Sequence, residues 1–273
     1  MTDSMSATDN ILDIRDLTIL FGGLRAVGDF TMSVPYGGLY GLIGPNGAGK
    51  TTVFNLITGV YKPTDGDILY QGESLVGLPT HRITQLGVAR TFQNIRLFQN
   101  LSVLDNVRIA LNMRAGYGLL EGITRLGRFS REERLLTERA QELLSVLRLE
   151  DRQLETAKNL PYGEQRRLEI ARALATEPQL LLLDEPAAGM NPTESEALME
   201  LIRFVRDRFN LSILLIEHQM RVVMGICEWI TVMDFGEVIA RGTAREIQSN
   251  ERVIEAYLGK RAGREMGVYA PSS

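Results

Sequence analysis

The chain of 273 residues has a net charge of −4, a sequence pI near 5.4, 44% hydrophobic and 23% charged residues. This is the composition of a globular protein long enough to bury a full core, and its acidity argues against a nucleic-acid partner, which normally needs a clustered basic face. Its longest apolar runs, such as residues 180–183, are too short to cross a bilayer, and a single cysteine, Cys227, excludes an internal disulfide. Residues 1–10 are polar, so we expect a short flexible tail and not a signal peptide. Together these features favour the cytosol.

Residues 11–34 alternate apolar and polar side chains around Phe21-Gly22-Gly23, which predicts an antiparallel β-hairpin. Phe21 is the informative residue of this hairpin. Its ring either stacks on a purine base or is buried as an ordinary strand aromatic, and the sequence leaves both interpretations open.

A phosphate-binding loop is predicted directly after the hairpin. The pattern G-x-x-x-x-G-K-[ST] is matched at every fixed position by Gly44, Pro45, Asn46, Gly47, Ala48, Gly49, Lys50, Thr51 and Thr52. An apolar run typical of a buried strand precedes the loop, and a helical run closed by Gly59 follows it. A chance glycine-rich turn usually lacks that context. We therefore expect Lys50 to reach the β- and γ-phosphates of a nucleotide and the Thr51 hydroxyl to bind Mg²⁺.

A turn at residues 62–67 and a strand at residues 68–70 lead to Arg90-Thr91-Phe92-Gln93. A glutamine at the end of a core strand can lend its amide oxygen to Mg²⁺ or to an attacking water. Taken alone, Gln93 would instead be interpreted as a solvated surface residue. His81 has no comparable placement and is predicted to lie on the surface.

Residues 101–160 change to helical periodicity, which predicts an inserted helical subdomain. The inward positions are clearest at Leu135, Leu136, Ala140, Leu143, Leu144 and Leu147. Residues 113–129 contain four glycines, and we expect a surface loop with short helical pieces there.

Pro161 suits the first turn of a helix that runs to Leu174, where its missing N–H costs nothing. Four leucines then precede Asp184 and Glu185, which predicts a strand buried on both faces of a parallel sheet. Ligands bind at the carboxyl ends of such strands. Asp184 would hold Mg²⁺ through water and Glu185 would polarise the attacking water, and the structural alternative is a helix cap or a salt bridge.

Asn191-Pro192-Thr193-Glu194 has the N-cap, first-turn proline and third-position glutamate that begin a helix. Residues 212–217 predict another buried strand, and His218 follows its end. A lone histidine is more often structural, but this placement favours contact with a γ-phosphate or the hydrolytic water. A hairpin is predicted at residues 229–240 and a terminal helix at residues 245–257.

The order and spacing of these motifs resemble the ATP-binding cassette (ABC) ATPases over nearly the whole chain. In that comparison Gln93 is the Q-loop residue, residues 160–165 are the signature, residues 188–191 are the D-loop and His218 is the switch histidine. The resemblance implies an α/β fold with a RecA-like P-loop NTPase core, an antiparallel β subdomain and an inserted helical subdomain. We expect one domain at residues 11–258, with its core at about 11–92 and 161–240 and its helical subdomain at about 93–160. Residues 259–273 would form a C-terminal tail.

In that family two cassettes dimerise head to tail, and each ATP lies between the phosphate loop of one chain and the signature of the other. The resemblance therefore implies that Tyr162, Gly163, Glu164 and Gln165 bind the partner's nucleotide. It also implies two separate permease subunits and a peripheral position on the cytoplasmic side of the inner membrane.

Finer features resemble the branched-chain amino acid importer ATPases, through residues 90–93, 162–169 and 184–189 and the C-terminal run at residues 253–259. That resemblance implies uptake of branched-chain or other hydrophobic amino acids, delivered by a periplasmic binding protein. Two positions depart from the general cassette, since Pro161 replaces the signature serine and Asn191 the D-loop aspartate. Because Pro161 lacks the hydroxyl that usually bonds the opposite nucleotide, we expect a heterodimer with unequal sites, and a homodimer is the alternative. An ATPase for lipopolysaccharide export and a soluble cassette protein acting on nucleic acid or ribosomes also stay open.

The segment after Gln93 carries the expected contact with a permease. Ile95, Leu97 and Phe98 would line a groove for a short permease helix. Alternatively, these side chains close the small core between the sheet and the helical subdomain.

Overall fold

A computed structural model of the protein describes residues 9–112 and 128–258. The predicted C-terminal tail lies outside these residues, as does most of the N-terminal tail and of the glycine-rich loop predicted at 113–129. Two details of those boundaries are wrong. Asn10 already pairs with Pro35 in a strand, and Arg128 is the first residue of a helix.

In the described residues the strands are β1 (Asn10–Phe21), β2 (Leu24–Pro35), β3 (Leu39–Ile43), β4 (Asp65–Tyr70), β5 (Glu73–Ser74), β6 (Val88–Arg90), β7 (Leu180–Asp184), β8 (Ser212–Ile216), β9 (Trp229–Asp234) and β10 (Glu237–Gly242). The helices are α1 (Lys50–Ile57), α2 (Thr80–Leu86), α3 (Val103–Asn112), α4 (Arg128–Val146), α5 (Tyr162–Leu174), α6 (Pro192–Phe209), α7 (Met220–Ile226), α8 (Ala244–Gln248) and α9 (Glu251–Leu258). Short 3-10 turns at Glu150–Arg152 and Ala157–Asn159 connect α4 to α5. No helix of these two stretches is long and apolar enough to cross a membrane.

Two sheets form the scaffold. The smaller sheet is antiparallel in the order β2-β1-β4-β5, so the predicted hairpin is confirmed. The larger sheet has the order β10-β9-β3-β8-β7-β6, and its strands are parallel except for β10. The carboxyl ends of β3, β6, β7 and β8 therefore meet at one edge, which is where a parallel sheet places its ligands.

The leucines of β7 show why this sheet is buried on both faces. Leu180 and Leu182 pack into one apolar cluster, with the antiparallel sheet and α1. Leu181 and Leu183 point the other way, into a second cluster formed with helices α3 to α9. Successive side chains of a strand alternate between faces, so an unbroken leucine run supplies both layers. The sequence-based prediction of a doubly covered strand is confirmed.

The helical periodicity after residue 101 is confirmed by α3 and α4, which pack against each other and against α5. One inward position is wrong, because Leu135 is 51% exposed whereas Ala140, Leu144 and Leu147 are fully buried. The buried side of α4 is formed by residues three and four apart, such as Leu136, Ala140 and Leu143, whereas Leu135 shares the other side with the exposed Glu138 and Arg139.

Helix ends account for two further differences. Pro161 is the N-cap of α5, one position before the predicted first turn, and its carbonyl accepts the N–H groups of Glu164 and Gln165. The single terminal helix predicted at residues 245–257 is instead two helices, α8 and α9. They separate at Asn250, whose side chain accepts the N–H groups of Arg252 and Val253 and so begins a new helix.

The start of α6 follows the sequence closely. Asn191 accepts a hydrogen bond from the Glu194 N–H at 3.0 Å, and the Glu194 carboxylate accepts one from the Asn191 N–H at 2.9 Å. This reciprocal capping box, with Pro192 at the first helical position, confirms the prediction.

Candidate nucleotide site

The predicted phosphate loop connects β3 to α1. Gly44, Gly47 and Gly49 have φ values of 152°, 82° and 102°, a left-handed region that favours glycine. A Cβ on Gly44 would also lie 2.1 Å from the carbonyl oxygen of Met233, so no side chain fits there. Within the loop Asn46 is exposed and Ala48 is buried. The N-cap residue of α1 is Gly49, which has no side chain to accept a hydrogen bond from the first turn. The N–H groups of that turn are therefore left for an anion.

Lys50 points back into this loop. Its Nζ donates hydrogen bonds to the carbonyl oxygens of Gly44 at 2.7 Å and Pro45 at 2.9 Å. Burial lowers the pKa of Lys50 from its ordinary value, while the carboxylates of Glu185 and Asp184 act in the opposite direction. The ammonium group is therefore within electrostatic reach of the two carboxylates at the end of β7, and its positive charge is available to a phosphate group in the loop. Thr51 follows it and is exposed, and Thr52 is half-buried.

The turns after β6, β7 and β8 bring three predicted catalytic residues together. The Nε2 of Gln93 donates to Oε2 of Glu185 at 2.8 Å, and Nδ1 of His218 lies 3.5 Å from the same oxygen. Glu185 is 14% exposed and His218 is 48% exposed, so both can be reached by a ligand. Gln93 is exposed, as a surface glutamine would be, and its amide is also bonded to the Glu185 carboxylate. His81, by contrast, lies exposed on α2 as predicted.

Asp184 is held by a residue to which the sequence assigned no role. Nη2 of Arg90 lies 2.7 Å from Oδ2 of Asp184, and the two side chains are 7% and 5% exposed. Nη1 of Arg90 donates to Oδ1 of Asn55 on α1 at 2.7 Å, and its guanidinium lies 5.3 Å from the ring centres of Phe54 and Phe92. The salt bridge expected as the structural alternative is thus present. The pair uses Oδ2 of Asp184.

The donors near the loop fit Mg²⁺ in kind. Thr51 offers a hydroxyl, Gln93 an amide oxygen and Asp184 a carboxylate oxygen, and Mg²⁺ prefers oxygen ligands. In the described ranges no group of three or more His, Cys, Asp or Glu residues is arranged to hold a metal by itself. Mg²⁺ in phosphate-binding sites is usually held by one or two protein oxygens together with waters and substrate phosphates, and these three donors fit that pattern.

The predicted signature residues lie at the start of α5, apart from the phosphate loop. Tyr162 is 45% exposed, and its hydroxyl accepts a hydrogen bond from Arg166 at 3.0 Å. Gln165 donates to the Leu160 carbonyl at 2.8 Å, and Glu164 pairs with arginines on either side. Space around Gly163 is open, since a Cβ there would meet nothing within 4 Å. Among the residues that the structure describes, no hydrogen bond joins this group to the chain's own phosphate loop.

Arg166 connects the signature helix to Gln93. It is fully buried and donates to the carbonyl oxygens of Phe92 at 2.6 Å and Gln93 at 2.8 Å. Glu169, one turn further along α5, pairs with Arg166 at 2.8 Å and accepts the Phe92 N–H at 3.2 Å. The backbone before and at Gln93 is therefore bonded to α5.

Phe21 lies at the tip of the β1–β2 hairpin and is 43% exposed, so its interpretation as a buried strand aromatic is wrong. Its ring packs edge to face against Tyr61, with 5.1 Å between centroids and 73° between planes. The next strand runs alongside the phosphate loop, where a Cβ on Gly49 would lie 2.7 Å from the Ala26 carbonyl oxygen. An exposed aromatic face close to that loop is suited to stacking on a base.

Sequence reasoning missed the residues that hold this site in place: Arg90, Arg166, Glu169, Glu217 and Gln219. Each carried a weak signal. Arg90 ends an otherwise apolar strand, and Glu217 ends another directly before His218. A charged residue at such a position must find a partner, but the sequence does not identify which one.

Taken together, a phosphate loop, two strand-end acids, a glutamine and a histidine on a doubly covered parallel sheet define an ATP-binding cassette ATPase. The chain belongs to the ABC transporter family, whose model matches residues 27–188. A second model, described as the branched-chain amino acid ATP-binding cassette transporter, matches residues 237–263.

Similar proteins extend over almost the whole chain. The high-affinity branched-chain amino acid transport ATP-binding protein LivG of Escherichia coli (strain K12) is 46% identical over 250 residues, which cover 92% of this chain and 98% of that protein. BraF of Pseudomonas aeruginosa, described in the same words, is 45% identical with the same coverage. A crystal structure of a nucleotide-free ATP-binding cassette from an ABC transporter superposes with a TM-score of 0.80 at 27% identity, covering 92% of this chain and 100% of that one.

Proposed function

We propose that this chain is the ATPase subunit of an importer for branched-chain or other hydrophobic amino acids. The observation that carries the proposal is the 46% identity to a branched-chain amino acid transport ATP-binding protein over 98% of that protein's length. The match of residues 237–263 to a branched-chain amino acid cassette model supports the same substrate class from a separate part of the chain. We propose one cassette domain that begins with β1 at Asn10 and ends at about residue 258, with its core at about 10–92 and 161–240 and its helical subdomain at about 93–160.

ATP would be bound first through its phosphates and its base. The first-turn N–H groups of α1 and the Lys50 ammonium would hold the phosphates, and Lys50 would exchange its present loop carbonyl partners for phosphate oxygens. Phe21 would stack on the adenine ring. The remaining loop residues would shape the cradle by backbone alone, which is why glycines occupy its tightest positions.

Hydrolysis would then be assisted by the residues at the strand ends. Thr51 and Gln93 would hold Mg²⁺ directly and Asp184 would hold it through water, and the bound ion would neutralise charge on the phosphates. Glu185 would act as the general base toward the attacking water, and Gln93 and His218 already contact its carboxylate. The side chain of His218 is exposed enough to reach a γ-phosphate from this position.

The open signature surface favours a second cassette subunit. Tyr162, Gly163, Glu164 and Gln165 lie at the start of α5, away from the chain's own loop, and would contact a nucleotide held by the partner. A helix N-terminus with accessible N–H groups is suited to a phosphate. We propose a heterodimer, because Pro161 removes one hydroxyl from the site it would share, and the dimer would lie on the cytoplasmic face of the inner membrane.

Two permease subunits would dock on the segment after Gln93, and a periplasmic binding protein would act indirectly through them. Phe98 is 44% exposed, and the Arg172 guanidinium lies 4.7 Å from its ring centre. Leu97 and Ile95 are half-buried. Leu97 also packs on the main core, so it would both line the groove for the permease helix and close the core behind it. Arg166 fixes the backbone of Gln93 to α5, so force on this segment would reach both the catalytic site and the signature.

Uptake in a reconstituted system tests the proposal. The chain is assembled with its permeases, partner ATPase and binding protein in liposomes, and leucine uptake and ATP turnover are measured together. We expect ATP-dependent leucine uptake. Phe98→Asp should lose uptake by a large factor while the detached ATPase still binds nucleotide, because a charge would enter the apolar contact.

Phe204→Asp is the matched control, since Phe204 is 51% exposed on α6, away from this segment, and should transport normally. If the wild type hydrolyses ATP but moves no hydrophobic amino acid, the substrate class is wrong, and transport of lipopolysaccharide would identify the alternative. Normal uptake by Phe98→Asp would show that the docking segment lies elsewhere.

A further inference from the structure

Two neighbouring turns carry the proposed catalytic side chains. Glu185 lies in the turn after β7, and His218 lies in the turn after β8. The last backbone hydrogen bond between them runs from the Glu185 N–H to the Ile216 carbonyl at 2.9 Å. Beyond that bond the imidazole of His218 is 48% exposed, so core packing does not fix it. Its position must come from the backbone on either side of it.

Glu217 is the residue before His218, and it is fully buried. Its Oε1 accepts the Ala187 N–H at 2.8 Å, and its Oε2 accepts the N–H groups of His218 at 3.1 Å and Gln219 at 3.2 Å. Burial raises the pKa of Glu217, and the three amide donors oppose that rise. Burying a carboxylate costs free energy unless its oxygens accept hydrogen bonds, as they do here. The three bonds hold the turn after β7 and the turn after β8 to the one carboxylate of Glu217.

Gln219, on the other side of His218, contacts the same residue of the neighbouring turn. Its Nε2 donates to the Ala187 carbonyl at 2.8 Å. Both polar backbone groups of Ala187 are thus bonded by the two residues that flank His218 in sequence. Ala187 is fully buried and lies two residues after Glu185. The arrangement is a clamp, formed by Glu217 and Gln219 on Ala187.

We propose that Glu217 and Gln219 are positioning residues that fix His218 relative to Glu185 by clamping Ala187 from both sides. Glu217 is shielded from solvent and accepts the backbone N–H groups of Ala187, His218 and Gln219, so it acts through His218 and not on the nucleotide itself. This inference rests on the proposed role of His218 in hydrolysis. The phosphate loop makes no contribution to the clamp, so binding of ATP should not depend on it.

Gln219→Ala is the sharper variant, because Gln219 is only half-buried and its removal leaves the Glu217 bonds in place. We expect kcat for ATP to fall about twofold to tenfold, the effect of one neutral hydrogen bond, with KM unchanged. Gln141→Ala is the control, since the exposed amide of Gln141 bonds Gln153 on the surface and its loss should not affect turnover. Glu217→Gln should cost more, and thermal unfolding separates a folding defect in that variant from a catalytic one.

A double-mutant cycle with His218→Ala tests whether the clamp acts through the imidazole. Gln219→Ala should cost nothing further when His218 is already removed, because the group it positions is absent. Nitrogen-15 NMR of the imidazole rings gives a readout independent of turnover. The chain has only two histidines, and the exposed His81 on α2 serves as an internal reference. Gln219→Ala should shift the ring signals of His218 and leave those of His81 in place.

Each outcome bears on a different step. An equal loss from Gln219→Ala with and without His218, or unmoved ring signals of His218, overturns the clamp. A raised KM with unchanged kcat overturns it as well, because that result places Gln219 in ATP binding. If His218→Ala turns over ATP at the wild-type rate, His218 has no role in hydrolysis. The proposal that the clamp positions His218 for catalysis then fails as well. If His218→Ala loses turnover while Gln219→Ala does not, only the clamp fails.

Discussion

Arg90 and Asp184 form an ion pair with 2.7 Å between Nη2 and Oδ2, and neither side chain is more than 7% exposed. Arg90 is the last residue of β6 and Asp184 is the last residue of β7, so the pair joins two adjacent strand ends beneath the proposed magnesium position. Arg90 also bonds Asn55, which extends the connection to the helix that follows the phosphate loop. One guanidinium thus holds three elements of the site.

Arg90→Met should destabilise the fold by about 3–5 kcal/mol, because removing one partner leaves a buried, uncompensated carboxylate. Urea unfolding measures this change, with fluorescence of the single tryptophan, Trp229, as the probe. Arg15→Met is the control, since Arg15 is 55% exposed and lies 3.9 Å from Asp13. Its loss should cost about 0–1 kcal/mol. Equal midpoints for the two variants would show that the buried pair contributes no more than a surface one.

Glu185→Gln should retain ATP binding and reduce turnover by about 10²–10⁴, the usual contribution of a general base. The substitution keeps the shape of the side chain and removes its ability to accept a proton. Phosphate release and nucleotide titration on the same preparation separate the two effects. Glu196→Gln changes an exposed carboxylate on α6 and should leave both unchanged. Wild-type turnover by Glu185→Gln would remove this residue from the base role.

Much of the fold follows from local signals that need no tertiary information. The capping box at Asn191 and Glu194 is fixed within four residues of sequence, and the unbroken leucines of β7 encode burial on both faces. The position of Asp184, Glu185 and His218 at one sheet edge follows because parallel strands align their carboxyl ends. These features were predictable because the residues that determine each of them lie close together in the sequence.

The supporting contacts were not predictable, because their partners are distant in the chain. Arg90 is 94 residues from Asp184, and Arg166 is 74 residues from Phe92. A single sequence shows that each arginine needs a partner but not where the fold places one. The break at Asn250 was missed for another reason. Helical periodicity continues across it, and only the side chain's bonds to the next two N–H groups reveal a new cap.

Lys50→Ala should weaken ATP binding itself, unlike the change at Glu185. Lys50 is 6% exposed and its ammonium group bonds two loop carbonyls, so its removal takes away the charge that would face the phosphates. Titration with a fluorescent ATP analogue measures the loss of affinity. Lys158→Ala is a suitable control, since Lys158 bonds Asn100 on the surface. Unchanged affinity in Lys50→Ala would mean that the nucleotide is held without this charge.

Pro161 has two separate consequences that one substitution can test. It is the N-cap of α5, its φ and ψ of −53° and 152° are extended, and it makes no side-chain hydrogen bond to the helix. Serine fits that backbone and would cap the helix, which typically stabilises a protein by about 0.5–2 kcal/mol. The same hydroxyl would face the nucleotide held by the proposed partner subunit.

We therefore expect Pro161→Ser to raise ATP turnover of the assembled transporter. The rise should be modest, because a neutral hydrogen bond is worth about 0.5–1.5 kcal/mol. The helix N-terminus with Gly163 would also face the phosphate without the added hydroxyl. Pro161→Ala removes the ring without adding a hydroxyl and is the matched control. Turnover should rise for serine and not for alanine, whereas an equal rise in both would trace the effect to the backbone. Light scattering measures whether the wild-type chain forms a homodimer, and nucleotide stoichiometry measures how many ATP sites that dimer has. A fully active homodimer of the wild-type chain with two equivalent sites contradicts the proposed asymmetry.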